Sequence, residues 1–375
     1  ARTLSANGFA REATHAANRA LTLDPANPDW QALAADLAAW ERFLIDVRNA
    51  VRRSYWREKT RQRRVDLDEF LKGLAAASMR RLGRDVVSAI PVDDWPFVGS
   101  VARTDFEGAP TDWAEHGVFF VIGQRNGGPV QGTMMRIVGH WEDREVDGVP
   151  YELLVGDGRL FRTYFEFDGG DIAGFAMPGR VVLDLDSLNG SEAAVRRWAK
   201  AAGDRPLWPA ADEERRRSLW FPNGVRERLA ARYVAGGGAG AAFETALRHE
   251  EGHVLDGAEY TPISHHVPEI FVQALRHGFS PSAIEVTLEA NAESNALRTS
   301  AYPNAALFGT TSFLPRKRGG PPHSIAYFGL LEEIVEEIDE HPARYPSIDR
   351  AYNILQQLDR LTAEELRSAI DRALE

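Results

Sequence analysis

The chain has 375 residues, 44% hydrophobic and 26% charged, an ordinary balance for a folded globular protein that excludes wholesale disorder. Its 55 acidic residues outnumber the 44 basic ones, giving a net charge of −11, so a general nucleic-acid binder is not expected. There is no cysteine, which excludes disulfide scaffolds, thiol catalysis and cysteine-based metal sites; a metal could be held only by carboxylates and the 10 histidines.

All but four of the basic residues are arginine, as GC-rich codon usage would give. The chain begins at Ala1, as a processed or trimmed product would, and no apolar run reaches the ~18 residues a membrane span needs. A soluble, cytoplasmic protein without a membrane partner is expected. A periplasmic or secreted location stays open for a chain whose signal peptide has been removed.

In chain order, residues from about Asn27 to Leu82 read as helical, with Leu33, Leu37 and Trp40 on one stripe. An arginine-dense run from Arg48 to Arg64 follows that stripe and reads as a solvated face, with an anion or partner site as the alternative. From Gly117 to Leu188 the texture becomes β-prone: Val118–Ile122, Thr133–Trp141, Tyr151–Val155, Leu160–Phe167 and Val181–Leu185 are separated by Asn-Gly and Asp-Gly turn signals. The intervals are too short for helical crossovers, so the sheet is expected to be mainly antiparallel. Gly174–Gly179, with Pro178, suits an edge strand.

Beyond Ser191 helices return, at about Ala241–Leu255, Pro268–His277, Pro281–Ser300, His323–Glu340, Ser347–Leu358 and Thr362–Leu374. The glycine run Gly236–Gly240 lacks the Lys-Ser/Thr of a phosphate loop. The expected fold is α+β in three regions: an N-terminal helical region 1–90, a β-rich region 91–190 and a helical metal-binding region 191–375.

The chemistry concentrates in His249-Glu250-Glu251-Gly252-His253, an HExxH motif on a helix. Helical positions four apart return to within about 40° of each other, so both imidazoles can reach one metal ion. Glu250 projects in a neighbouring direction, where it can take a proton from water as general base. A third ligand is expected from the helix after Pro281, where Glu289 and Glu293 share a face. Glu289 is the first candidate, Glu293 the second, and the glutamate that does not bind can orient a ligand histidine. His265-His266 is a weaker ligand pair, and His277 reads as a cap to its helix. A donor for a developing oxyanion is expected at His323, with Tyr327 and Tyr260 as alternatives.

HExxH followed by a helical glutamate resembles the gluzincin pattern of zinc metallopeptidases, and Glu289-Ala-Asn-Ala-Glu293-Ser294 is similar to the ExxAES segment of the dipeptidyl peptidase III family. The resemblance spans His249 to Ser294 and implies a zincin-like fold with one zinc ion. It makes Glu289 the zinc ligand and Glu293 a hydrogen-bond partner of a ligand histidine. The histidine box here is the plain pentapeptide, one residue shorter than is usual in that family. The expected function is a zinc-dependent hydrolase cleaving a peptide or small amide substrate. The alternative is a non-haem iron oxygenase, since two histidines and one carboxylate also suit iron. A metal that only braces helices is the non-catalytic reading.

Overall fold

The computed structural model describes residues 10–59, 66–90, 92–93, 113, 116–124, 130–157, 173–177, 179–203, 206–219, 224–236, 240–260, 275, 280–312 and 322–374. The expected strand Leu160–Phe167, the expected helix Pro268–His277 apart from Leu275, and His265-His266 lie outside the described residues. So do most of Gly236–Gly240 and the side chains of Arg52, residues 57–64 and Tyr260. The fold is mixed α+β, as expected. The chain divides into two compact bodies, Ala1–Glu142 with Leu153–Ile172 and Asp184–Asp186, and Asp143–Glu152 with Ala173–Leu183 and Ser187–Glu375.

In the first body, α1 (Ala10–Leu23), α2 (Pro28–Lys59) and α3 (Leu67–Leu82) come in sequence. The helical expectation over Asn27–Leu82 resolves into α2 and α3, and α1 was not anticipated. Asn27 opens α2 by accepting from the backbone N–H groups of Asp29 and Trp30. Asp66 does the same for α3 through Asp68 and Glu69, and Gly83 closes that helix at φ 70°. The stripe of α2 is buried at Leu37, which packs with Ala13, Ala17 and Ala34, and at Trp40, Phe43, Leu44 and Val47, which with Phe70, Leu74, Trp113, Phe120 and Ile122 form the larger core of this body. Of the arginine run, Arg53 is exposed and Arg48 half-buried. Strand β1 (Val92–Asp93) pairs in parallel with β2 (Val118–Gln124), which runs antiparallel to β3 (Val130–Val146) with Phe120 opposite Met134.

The second body takes the end of the hairpin between β3 and β4 (Val149–Asp157). Asp147 (φ 46°) and Gly148 (φ 81°) form its turn, the left-handed pair that the Asp-Gly signal promised. Next to β4 lies β6 (Arg180–Asp184), and outside it β5 (Gly174–Met177), the last strand of the ladder among the described residues. Strands β5 and β6 are antiparallel, with Gly174 opposite Leu183. The anticipated strands thus fall in β2, β3, β4 and β6, except that Leu185 already begins helix α4 (Leu185–Lys200).

The rest of this body is helical: α5 (Glu213–Arg217), α6 (Val225–Ala235), α7 (Ala241–Tyr260), α8 (Pro281–Thr299), α9 (Pro303–Thr311), α10 (Pro322–Glu340) and α11 (Ala363–Ala373). Ser280 caps α8 ahead of Pro281, and Thr362 with Glu365 forms a capping box on α11. Its core joins Leu229, Leu297, Leu307, Leu331, Ile334, Leu355 and Ile370, all fully buried. No helix among the described residues is long and apolar enough to cross a membrane.

The helix expected over Ser347–Leu358 is not formed. Only a short 3₁₀ turn, Leu355–Arg360, occurs there. The polar side chains of the segment bind backbone elsewhere: Asn353 Nδ2 donates to the carbonyls of Arg215 and Ser218 at 2.8 Å, and Gln357 Nε2 donates to that of Asp349. Tyr352 bridges to Pro209, and the Asn353 N–H donates to the Trp208 carbonyl. These bonds outcompete the helical ladder that the apolar spacing suggested.

Candidate metal centre

Two helices of the second body supply the site. On α7, His249 and His253 project from one face, as the helical period requires, with their rings 5.0 Å apart. Facing them, α8 presents Glu289, whose Oε2 lies 3.6 Å from His249 Nε2 and 3.7 Å from His253 Nε2. The three ligand atoms lie within 4.8 Å of one another, and the group could hold a metal ion. It is the only such group among the described residues.

The close approach of the two helices has a specific origin. A Cβ on Gly252 would lie 2.6 Å from the Cα of Ala292 and 3.2 Å from Asn295 Cβ. Glycine at the fourth position of the motif therefore lets α8 come near enough for Glu289 to reach the histidines. Asn295 adds a hydrogen bond from Nδ2 to the Arg248 carbonyl, and Asn291 donates to Asp256 at 2.9 Å. On the other side of α7, Glu251 is buried and accepts from the Tyr151 hydroxyl and from Arg248 at 2.7 Å.

A positive charge suits this group of side chains. Oε2 of Glu289 is buried and accepts no hydrogen bond of good geometry, although three imidazole nitrogens surround it. Burial alone would raise the Glu289 carboxyl, but the facing imidazoles of His249, His323 and His253 outweigh it and hold the group well below the usual carboxylate range. Burial likewise opposes a proton on His249, yet Glu289 and Glu293 together raise it well above the ordinary histidine value. His253 goes the other way, lowered to about 4 by burial and by the neighbouring His249. A divalent cation would satisfy Glu289 and take the place of the His249 proton, as metal ligation by neutral imidazole requires. The donor set fits zinc, which takes imidazole nitrogen and carboxylate oxygen.

Around this group stand the other anticipated residues. Glu250 is buried on α7, pushed up to about 7 mainly by burial, with Glu289 adding to the effect. Its Cγ lies 3.1 Å from where a Cβ on Gly174 would stand, so the first residue of β5 passes directly against it. His323, on the first turn of α10, brings Nε2 to 3.0 Å from Glu289 Oε2 and remains 44% exposed. Glu293 lies with Oε2 3.1 Å from His249 Nδ1. Tyr327 is buried with its ring 5.8 Å from that of His323, and its hydroxyl contacts Glu293.

The structure thus brings together His249, Glu250, His253, Glu289, Glu293, His323 and Tyr327. One residue the sequence reading did not single out also belongs here. Thr310 of α9 is fully buried and donates from Oγ1 to Glu293 Oε1 at 2.6 Å. Its segment, Ala-Ala-Leu-Phe-Gly-Thr-Thr, has no helical periodicity to mark a polar face. The chain matches no protein-family model, no curated protein and no solved structure.

Proposed function

We propose that the protein is a zinc-dependent hydrolase of the gluzincin type, with a zincin-like arrangement of α7, α8 and the sheet edge, acting on a peptide or other amide bond. The observation that carries this reading is the convergence of His249, His253 and Glu289 within 4.8 Å, with Glu250 buried on the same helix and Glu293 bonded to His249. His249, His253 and Glu289 would hold the metal, which when bound supplies a Lewis acid and makes water a better nucleophile near neutral pH.

The chain's own residues supply the remaining roles. Glu250, buried on the same helix as the two histidines, takes a proton from the attacking water and passes it to the leaving nitrogen. His323, half-exposed beside Glu289, donates to the oxygen on which negative charge develops. Glu293 fixes the ring of His249 through Nδ1. Among the described residues strand β5 is the last of the ladder and passes beside Glu250, and an extended substrate backbone would lie along its outer edge. Glu250 as a base for water beside the two histidines, together with the Glu289 and Glu293 pair on α8, supports zinc hydrolysis over iron oxygenation.

The test is metal analysis of protein isolated without added metal, joined to a cleavage screen across peptides and amides, with Glu250→Gln as control. One zinc per chain, hydrolysis by the parent, and a loss of about 100-fold or more in a Glu250→Gln protein that keeps its zinc are expected. Near-full hydrolysis by Glu250→Gln would refute the general-base role. Stoichiometric iron with oxygen consumption would instead establish the oxygenase reading.

A further inference from the structure

We propose that Thr310 and Tyr327 are positioning residues for a metal held at His249, acting through Glu293. The inference rests on the metal-site reading above and extends it outward by one layer of side chains. Glu293 is buried, and its polar contacts come from three separate helices. His249 of α7 faces Oε2 at 3.1 Å, Thr310 of α9 donates to Oε1 at 2.6 Å, and Tyr327 of α10, its ring 6.4 Å from that of His249, interacts with the same carboxylate. A carboxylate only accepts hydrogen bonds, so His249 Nδ1 and the Thr310 hydroxyl are both donors to it. His249 therefore donates from Nδ1, which leaves Nε2 as the nitrogen that faces Glu289 and His253.

Thr310 has one hydroxyl proton and two acceptors in reach, Glu293 Oε1 at 2.6 Å and the Ala306 carbonyl at 2.9 Å. The shorter contact and the charged acceptor favour Glu293. Without the two hydroxyls the buried carboxylate would lose the donors that fix its plane, and with it the orientation of the His249 ring. The Thr310 hydroxyl is engaged by Glu293 and the Ala306 carbonyl, so its effect on the ion passes through Glu293 and His249.

The experiment measures zinc(II) affinity of the full chain by chelator competition for the parent, Thr310→Val, Thr310→Ser and Tyr327→Phe, together with the visible spectrum of each cobalt(II) form. Thr310→Val and Tyr327→Phe are each expected to weaken zinc binding by about 10-fold and to shift the cobalt spectrum, the lower end of what losing an outer hydrogen-bond partner costs. Thr310→Ser, which keeps the hydroxyl, is expected to restore both parental values. Should Thr310→Val not fold, Tyr327→Phe and Thr310→Ser carry the comparison. Parental affinity and spectra in both Thr310→Val and Tyr327→Phe would overturn the proposal, as would a loss in Thr310→Ser equal to that in Thr310→Val. A parent that takes up no zinc would sink the metal-site reading and this inference together, whereas a zinc-binding parent with unaltered variants removes only the inference.

Discussion

The Cα of Ala292 lies 2.6 Å from where a side chain on Gly252 would begin. Two effects of opposite sign meet at this position. Helix propensity favours alanine over glycine by about 1 kcal/mol in a helix interior. Packing opposes it, because the atom in the way is backbone and cannot rotate aside.

Overpacking of this kind costs about 1–3 kcal/mol, so Gly252→Ala is expected to destabilise the protein on balance. Gly257, on the same helix with nothing within 4 Å of a built Cβ, provides the control. Gly257→Ala is expected to stabilise by about 0.5–1 kcal/mol. Urea unfolding of both variants checks the pair. Because Glu289 and Glu293 flank Ala292 on α8, zinc affinity should fall with Gly252→Ala and stay parental with Gly257→Ala.

Metal binding to the folded state alone must raise stability by mass action. Zinc at 100 times its dissociation constant is expected to add about 2.7 kcal/mol, read as a rise of the melting temperature by several degrees. Glu289→Gln, which replaces the carboxylate between the two histidines, should leave the melting temperature insensitive to the same zinc concentration. A rise as large as the parent's would remove Glu289 from the ligand set.

Acid stability is predicted to depend on a second buried carboxylate, remote in role from the metal centre. Asp339 of α10 accepts from Arg216 at 2.5 Å, Arg217 at 2.7 Å and Arg350 at 2.7 Å. Burial would raise this carboxyl, but the arginine hydrogen bonds outweigh it and lower the group from 3.8 to about 2. A carboxyl whose value is depressed on folding adds stability that is present above its ordinary value and lost as pH falls toward the folded one. Its contribution should therefore be complete above about pH 4 and disappear as pH falls through about 2. Asp339→Asn removes a carboxylate partner from Arg216, Arg217 and Arg350, of which Arg217 keeps Glu336 at 3.0 Å, and is expected to cost about 2 kcal/mol at neutral pH. Urea titrations at several pH values should show a flatter acid limb for the variant.

What could be read in the sequence was what local periodicity determines. The separation of His249 and His253 fixes their common face in any α-helix, and the same period joins Glu289 to Glu293. The strands near Val118, Thr133, Tyr151 and Val181 followed from alternation and from turns such as Asp147-Gly148, whose left-handed geometry the residues themselves prefer. What stayed hidden depends on which helix packs against which. Tyr327 could be anticipated near the site, but its hydroxyl contact with Glu293 follows from how α10 lies against α8. Thr310 gave no signal because α9 is apolar on nearly every side. The expected helix at Ser347–Leu358 failed for the complementary reason: Asn353 and Gln357 found backbone partners that periodicity cannot foresee.

The hydrogen bond from Tyr151 to Glu251 joins residues 100 positions apart. For a chain emerging from the ribosome, the hairpin that carries Tyr151 is complete long before Glu251 appears, and it must wait for α7 to bury its hydroxyl. Closing so long a loop is slow compared with forming the hairpin or the helix, so docking of α7 onto the hairpin falls late in folding. The histidine-bearing helix is held by Tyr151 through Glu251 and by α8 at Gly252, so a fragment ending before residue 241 would leave the hairpin without its buried partner. Metal capacity should accordingly appear in the last phase of refolding, after most secondary structure has formed.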